Sequence, residues 1–271
     1  MKHSLLQIIV YTVIITVCVH SSGKEFTIED IFSSQKFASK SIRGIQWMKD
    51  GKSYSFLETD TVTKSAAVYL STIKNRSKKL IVSGSMMKLS EGDPAFRFTS
   101  YQWSPDEKQI LFVSAPPDKQ YLSRLTPAGN FFIYDNAAKK FSKITDVSTP
   151  QYNQKFSPDG KKIGYVRENN IYVYDLTTLK ETRLTSDGTE HIINGKFDWV
   201  YEEEFGISDG WSWSPDGSKI SYWHLDENYI GATQEMHQMA LNPGLGPHKL
   251  MLIDENGVST QINFEIIGKK K

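Results

Sequence analysis

The stretch Asp198-Trp199-Val200-Tyr201-Glu202-Glu203-Glu204-Phe205 sets three consecutive carboxylates, with a fourth just upstream, among large aromatics. Like charges side by side repel, and desolvation against aromatic rings raises the cost of keeping them ionised. The cluster becomes favourable when a cation sits among the carboxylates. A solvated acidic loop is the plainer alternative. A metal is not the expected cation, because His191, His224, His237 and His248 show no metal-ligand spacing. No cofactor is expected either. Cys18 is the sole cysteine and lies in the N-terminal apolar segment, so a disulfide framework and a Cys nucleophile are excluded. Gly206-Ile207-Ser208-Asp209-Gly210 fits a G-x-S-x-G pattern. A nucleophile elbow needs a buried strand before it and a helix after it, and here an acidic run precedes and a Trp-Ser-Trp strand follows.

The elements that must position these residues come from a repeat. Trp47-Met48-Lys49-Asp50-Gly51-Lys52, Trp103-Ser104-Pro105-Asp106-Glu107-Lys108, Phe156-Ser157-Pro158-Asp159-Gly160-Lys161 and Trp213-Ser214-Pro215-Asp216-Gly217-Ser218 recur at spacings of 56, 53 and 57 residues. Pro sets φ at the first corner of a turn, and Asp-Gly accepts positive φ. Strands predicted directly after the turns are Ile110–Val113, Ile163–Val166 and Ile220–Trp223. Second strands are predicted at Val68–Leu70, Phe132–Asp135, Ile171–Asp175 and Leu250–Asp254. Third ones follow at Lys79–Val82, Phe141–Ile144, Thr182–Leu184 and Thr260–Ile262. With a strand before each turn, this makes an all-β chain, a partial β-propeller of about four four-stranded antiparallel blades. Asn228 to His248, with Asn242-Pro243-Gly244 and Gly246-Pro247, is read as an insertion inside the fourth blade. A short lead-in helix is predicted after Thr27 as N-cap, with Glu29 and Asp30 in its first turn.

The chain has 271 residues, 39% hydrophobic, 12% aromatic and 23% charged, with net charge +1, so disorder and a nucleic-acid partner are not indicated. Residues 1–22 read as a signal peptide. A polar start (Lys2, His3) precedes an apolar run from Leu5 to Val19 that is short for a span, and Ser21-Ser22-Gly23 follow. Secretion, or a periplasmic location, is expected, with an uncleaved membrane anchor as alternative. Asn75-Arg76-Ser77 is a glycosylation sequon, relevant only in a eukaryotic secretory host.

The segment DWVYEEEFGISDGWSWSPDGSKISYW (Asp198 to Trp223) closely resembles the propeller of dipeptidyl peptidase IV-like serine peptidases of the prolyl oligopeptidase superfamily. The resemblance implies an exopeptidase that removes dipeptides from peptide N-termini, with Glu203 and Glu204 holding the free α-ammonium. Physically, two carboxylates give charge-assisted bonds to one ammonium and leave no room for a longer chain. Asp198, Trp199, Tyr201 and Glu202 would support that pair. An Arg from an earlier blade is also implied. Arg124 stands ten residues before Tyr134-Asp135 and matches the spacing, although Leu125-Thr126-Pro127 depart from the family's surroundings. The family's catalytic Ser, Asp and His lie on a following α/β-hydrolase domain. Residues 23–271 are therefore expected to be an incomplete propeller, cut from one of about eight blades, inactive alone and prone to association, with a homodimer as a candidate assembly of its parent. A non-catalytic secreted propeller that binds protein partners is the competing expectation.

Overall fold

The computed structural model describes residues 27–32, 42–114, 128–227 and 248–262. The chain divides into two compact units, Met1–Ser41 and Ile42–Lys271. In the first unit, α1 (Ile28–Phe32) begins where expected. Thr27 Oγ1 accepts the Asp30 N–H at 3.0 Å, and Asp30 Oδ2 accepts the Thr27 N–H at 3.5 Å, a reciprocal cap. No helix among the described residues is long and apolar enough to cross a membrane.

The described residues of the second unit form four antiparallel sheets in chain order, the blades of a partial propeller. Blade 1 is β1 (Arg43–Trp47), β2 (Ser53–Thr59), β3 (Ala66–Thr72) and β4 (Lys78–Ser83). Blade 2 is β5 (Phe98–Trp103), β6 (Gln109–Ser114), β7 (Phe131–Asp135) and β8 (Lys140–Lys143). Blade 3 is β9 (Gln151–Phe156), β10 (Lys162–Arg167), β11 (Asn170–Asp175) and β12 (Lys180–Arg183). Blade 4 differs from the expected four strands. Its first strand is broken into β13 (Ile192–Asn194) and β14 (Trp211–Trp213), both paired with β15 (Lys219–Asp226), and β16 (His248–Asp254) and β17 (Ser259–Gln261) complete it. The insertion read at Asn228–His248 falls almost wholly outside the described residues.

The repeated turn is a small hydrogen-bonded device. Ser157 Oγ donates to Asp159 Oδ1 at 2.6 Å and accepts the Lys162 N–H at 2.9 Å, while Asp159 Oδ1 accepts the Lys161 N–H at 3.0 Å. The Ser104 and Ser214 turns repeat the pattern. Gly160 takes φ 73°, which a side chain resists, and a Cβ there would stand 3.3 Å from Pro105 Cδ. The turns of blades 3 and 4 thus lean on the proline of the preceding blade, Gly217 on Pro158 as Gly160 on Pro105.

Both faces of the middle strands are buried, so the alternation along each strand feeds two cores. On β6, Ile110 and Phe112 join Val68, Val82 and Tyr101 between blades 1 and 2. Leu111 and Val113 join Phe131, Ile163 and Tyr165 between blades 2 and 3. Val166, Ile171, Trp211, Ile220 and Tyr222 fill the space between blades 3 and 4. First strands of neighbouring blades are tied by side chains: Gln46 Nε2 donates to Tyr101 O at 2.6 Å, and Trp213 Nε1 to Lys155 O at 3.3 Å.

Candidate functional site

The break in blade 4 is what carries the acidic segment. Gly195 and Gly210 both bond to Trp223: Gly195 N–H donates to Trp223 O at 2.9 Å, and Trp223 N–H to Gly210 O at 2.8 Å. Residues 196–209 therefore leave and re-enter the strand at one point. The two legs pair with each other, Lys196 opposite Asp209, and Phe197 N–H donates to Ser208 O at 3.2 Å.

At the tip sits α2 (Trp199–Phe205), a helix where the sequence reading left an acidic segment without secondary structure. Asp198 is its N-cap, with Oδ1 accepting the Tyr201 N–H at 2.9 Å. Gly206 is its left-handed C-cap at φ 65°, donating its N–H to Glu202 O at 3.2 Å. Both signals stand in the sequence; the seven-residue length hid the helix. Tyr201 stacks on Phe197 with ring centroids 5.0 Å apart and meets the Phe205 ring in a tilted arrangement at 5.6 Å. The Trp199 side chain lies outside the described residues.

The three glutamates are not equivalent. Glu202 is half-buried, while Glu203 and Glu204 are exposed. The Lys196 ammonium stands 5.1 Å from the Tyr152 ring centroid and feels the charges of Glu202, Glu227 and Asp198. Burial pushes Lys196 below the usual lysine range, and those carboxylates push it back up. Glu227 is raised by burial, then by the Asp198 charge and a hydrogen bond with Asp198. Lys196 and Glu227 went unremarked in the sequence, because lone charged residues carry no motif.

Arg124 lies outside the described residues. Of the residues flanking its connection, Ser114 ends β6 and Ala128 precedes β7, at the end of the blades opposite the Ser-Pro-Asp turns. The acidic excursion leaves blade 4 three residues from that same end, because β13 starts with Ile192 opposite Asp226. Ser208 is no elbow nucleophile by its setting: helix α2 precedes it and strand β14 follows, the reverse of the required order. His224 Nδ1 lies 2.8 Å from Asn194 Oδ1 and 3.8 Å from Asp187, within blade 4, and His191 is exposed.

A family model described as the dipeptidyl peptidase IV (DPP IV) N-terminal region matches residues 104–244, more than half of the chain. The chain belongs to that family. Dipeptidyl aminopeptidase B of Saccharomyces cerevisiae is 36% identical over 132 residues, which are 47% of this chain and 15% of the yeast protein. Dipeptidyl peptidase 4 of Sus scrofa is 35% identical over 136 residues, 48% of this chain and 17% of the pig protein. The crystal structure of Porphyromonas gingivalis dipeptidyl peptidase 4 superposes with a TM-score of 0.69 at 22% identity, covering 90% of this chain and 35% of that one, a likeness of fold. The chain spans less than a fifth of the length of either relative matched by sequence.

Proposed function

We propose that this region anchors the free N-terminus of peptides for a secreted dipeptidyl peptidase IV-like exopeptidase, with Glu203 and Glu204 as the acceptors of the α-ammonium. The observation that carries the reading is the sorting of the acidic run. The Glu202 charge acts on Lys196, while Glu203 and Glu204 are exposed on a helix capped at both ends. A helix held by caps and rings pre-orients two carboxylates, so little entropy is lost on binding a small cation. Arg124 is assigned to the carbonyl side of the bound dipeptide, and the end of the blades from which its connection leaves supports this. Residues 1–22 are assigned as the signal peptide and 23–271 as the propeller region. Chemistry at the scissile bond belongs to a separate hydrolase domain of the full enzyme.

The test is titration of the purified chain with an Ala-Pro dipeptide and its N-acetyl form, followed by backbone NMR. The free amine should bind and shift the α2 amides, and the acetylated form should not. Glu203→Gln or Glu204→Gln should each weaken binding about tenfold or more, the consequence of losing a bond worth roughly 1.5–3 kcal/mol. Equal binding of both dipeptides would refute the ammonium anchor.

A further inference from the structure

The acidic helix projects from blade 4, yet much of what holds it comes from blade 3. Strand β9 carries a bulge: Phe156 pairs with Ile163 and Lys155 with Gly164, but Tyr152 pairs with Val166, so Asn153 and Gln154 share one partner position. Asn153 sits there at φ 56° and is buried, a conformation that needs compensation in a non-glycine residue. Its carboxamide Nδ2 donates to Ser208 O at 3.1 Å, and its backbone carbonyl accepts the Trp211 Nε1–H at 3.0 Å. Two residues on, Lys155 Nζ bonds Asp209 Oδ1 at 2.6 Å and the Trp211 carbonyl, with the ammonium 4.3 Å from the Trp211 ring centroid. Its side chain is 24% exposed. Burial pulls the ammonium down while Asp209 raises it again.

The contacts form a continuous line. Asn153 and Lys155 grip Ser208 and Asp209 on the returning leg. That leg pairs with Lys196 and Phe197 on the outgoing leg. Phe197 stacks on Tyr201 and adjoins the N-cap Asp198.

We propose that Asn153 and Lys155 are positioning residues for the acidic helix: the bulge of blade 3 clamps the excursion of blade 4 and so fixes where Glu203 and Glu204 stand. The consequence for binding rests on the proposed anchor function; the clamp itself does not.

Two variants separate the clamp from general stability. Asn153→Gly removes the carboxamide and relieves the positive φ, so the thermal midpoint should hold or rise. Lys155→Met removes the ammonium, and Lys155→Arg should restore most of what it loses. Amide hydrogen exchange of residues 200–206 should speed up by about tenfold in Asn153→Gly and Lys155→Met, with blades 1 and 2 unchanged, because only a local opening is affected. Ala-Pro affinity should fall in parallel and recover in Lys155→Arg. Unchanged exchange across α2 in both variants would overturn the clamp, and so would exchange that speeds up equally in all blades. A wild-type chain that binds no dipeptide would refute the anchor function instead, leaving the clamp to be judged by exchange alone.

Discussion

Gly164 is where blade 3 makes room for blade 4. A Cβ there would stand 2.4 Å from Trp211 Cη2 and 3.1 Å from Trp213 Cζ2, against rigid indole rings. Gly164→Ala is expected to destabilise by about 1–3 kcal/mol, the usual effect of overpacking, read as a lower denaturant midpoint at unchanged slope. Glu107 poses the opposite problem. It occupies the turn position that Gly holds in the other blades, at φ 59°. Its Oε1 accepts the Lys49 N–H at 2.5 Å. Lys49 stands where the other turns have proline, so it alone offers an N–H there. Glu107→Gly alone should change stability by less than about 1 kcal/mol, since strain relief and the lost bond oppose each other. In a Lys49→Pro background the same change should stabilise by about 1 kcal/mol, because only the strain remains. Urea unfolding of the four chains of this cycle measures the difference, and equal effects in both backgrounds would contradict the pairing. At this scale the sequence shows residue types but not their partners. The run Glu202-Glu203-Glu204 stood out by composition, whereas Lys196, whose ammonium feels the Glu202 charge, is a single unremarkable lysine.

The turns were legible because their chemistry is local: Ser, Pro, Asp and Gly within four positions close their own hydrogen bonds. The same chemistry makes them sensitive to acid. The hydroxyl of Ser157 and the Lys161 N–H hold Asp159 below the usual carboxylate range, Ser104 does the same for Asp106, and Ser214 and Ser218 bring Asp216 down to about 2. A carboxyl lowered in the fold stabilises above its unfolded pKa and loses that contribution as pH falls through the folded one. Glu227, raised by burial, has the opposite sign: its contribution is complete below the unfolded value and lost as pH rises through the folded one. The lowered carboxyls, which also include Asp50, Asp60, Asp175 and Glu181, outnumber it. The urea midpoint is therefore expected to fall between about pH 4 and pH 2. Asp106→Asn, Asp159→Asn and Asp216→Asn together should flatten that fall; a fall of unchanged size would place the acid sensitivity elsewhere. The split of the first strand in blade 4 was not legible. It depends on Gly195 and Gly210 meeting opposite Trp223, a contact that no local pattern announces. Helix α2 was missed for a related reason: seven residues are too few to show a helical period, and its caps draw meaning from the tertiary setting.

Across the whole molecule, the repeat revealed the blade architecture, but blade 1 presents an unusual surface. Trp47 is 64% exposed and Ile45 51%, beside the ring pairs Trp47–Tyr54 and Phe56–Tyr69. An exposed apolar face of this kind favours association. Sedimentation should show a weight-average mass that rises with concentration, and Trp47→Lys should reduce the rise; a monodisperse monomer at high concentration would count against it. The functional reading reaches further than the fold, because blade architecture is shared by proteins with many tasks and only the acidic helix argues for a peptide N-terminus. The most direct measurement of that claim is the affinity of the intact chain for Ala-Pro as a function of pH. A free α-amino group loses its proton near pH 8, so binding to Glu203 and Glu204 should be level from about pH 6 to 7 and fall about tenfold per unit above 8. An affinity that stays constant from about pH 6 to 9 would contradict recognition of the ammonium.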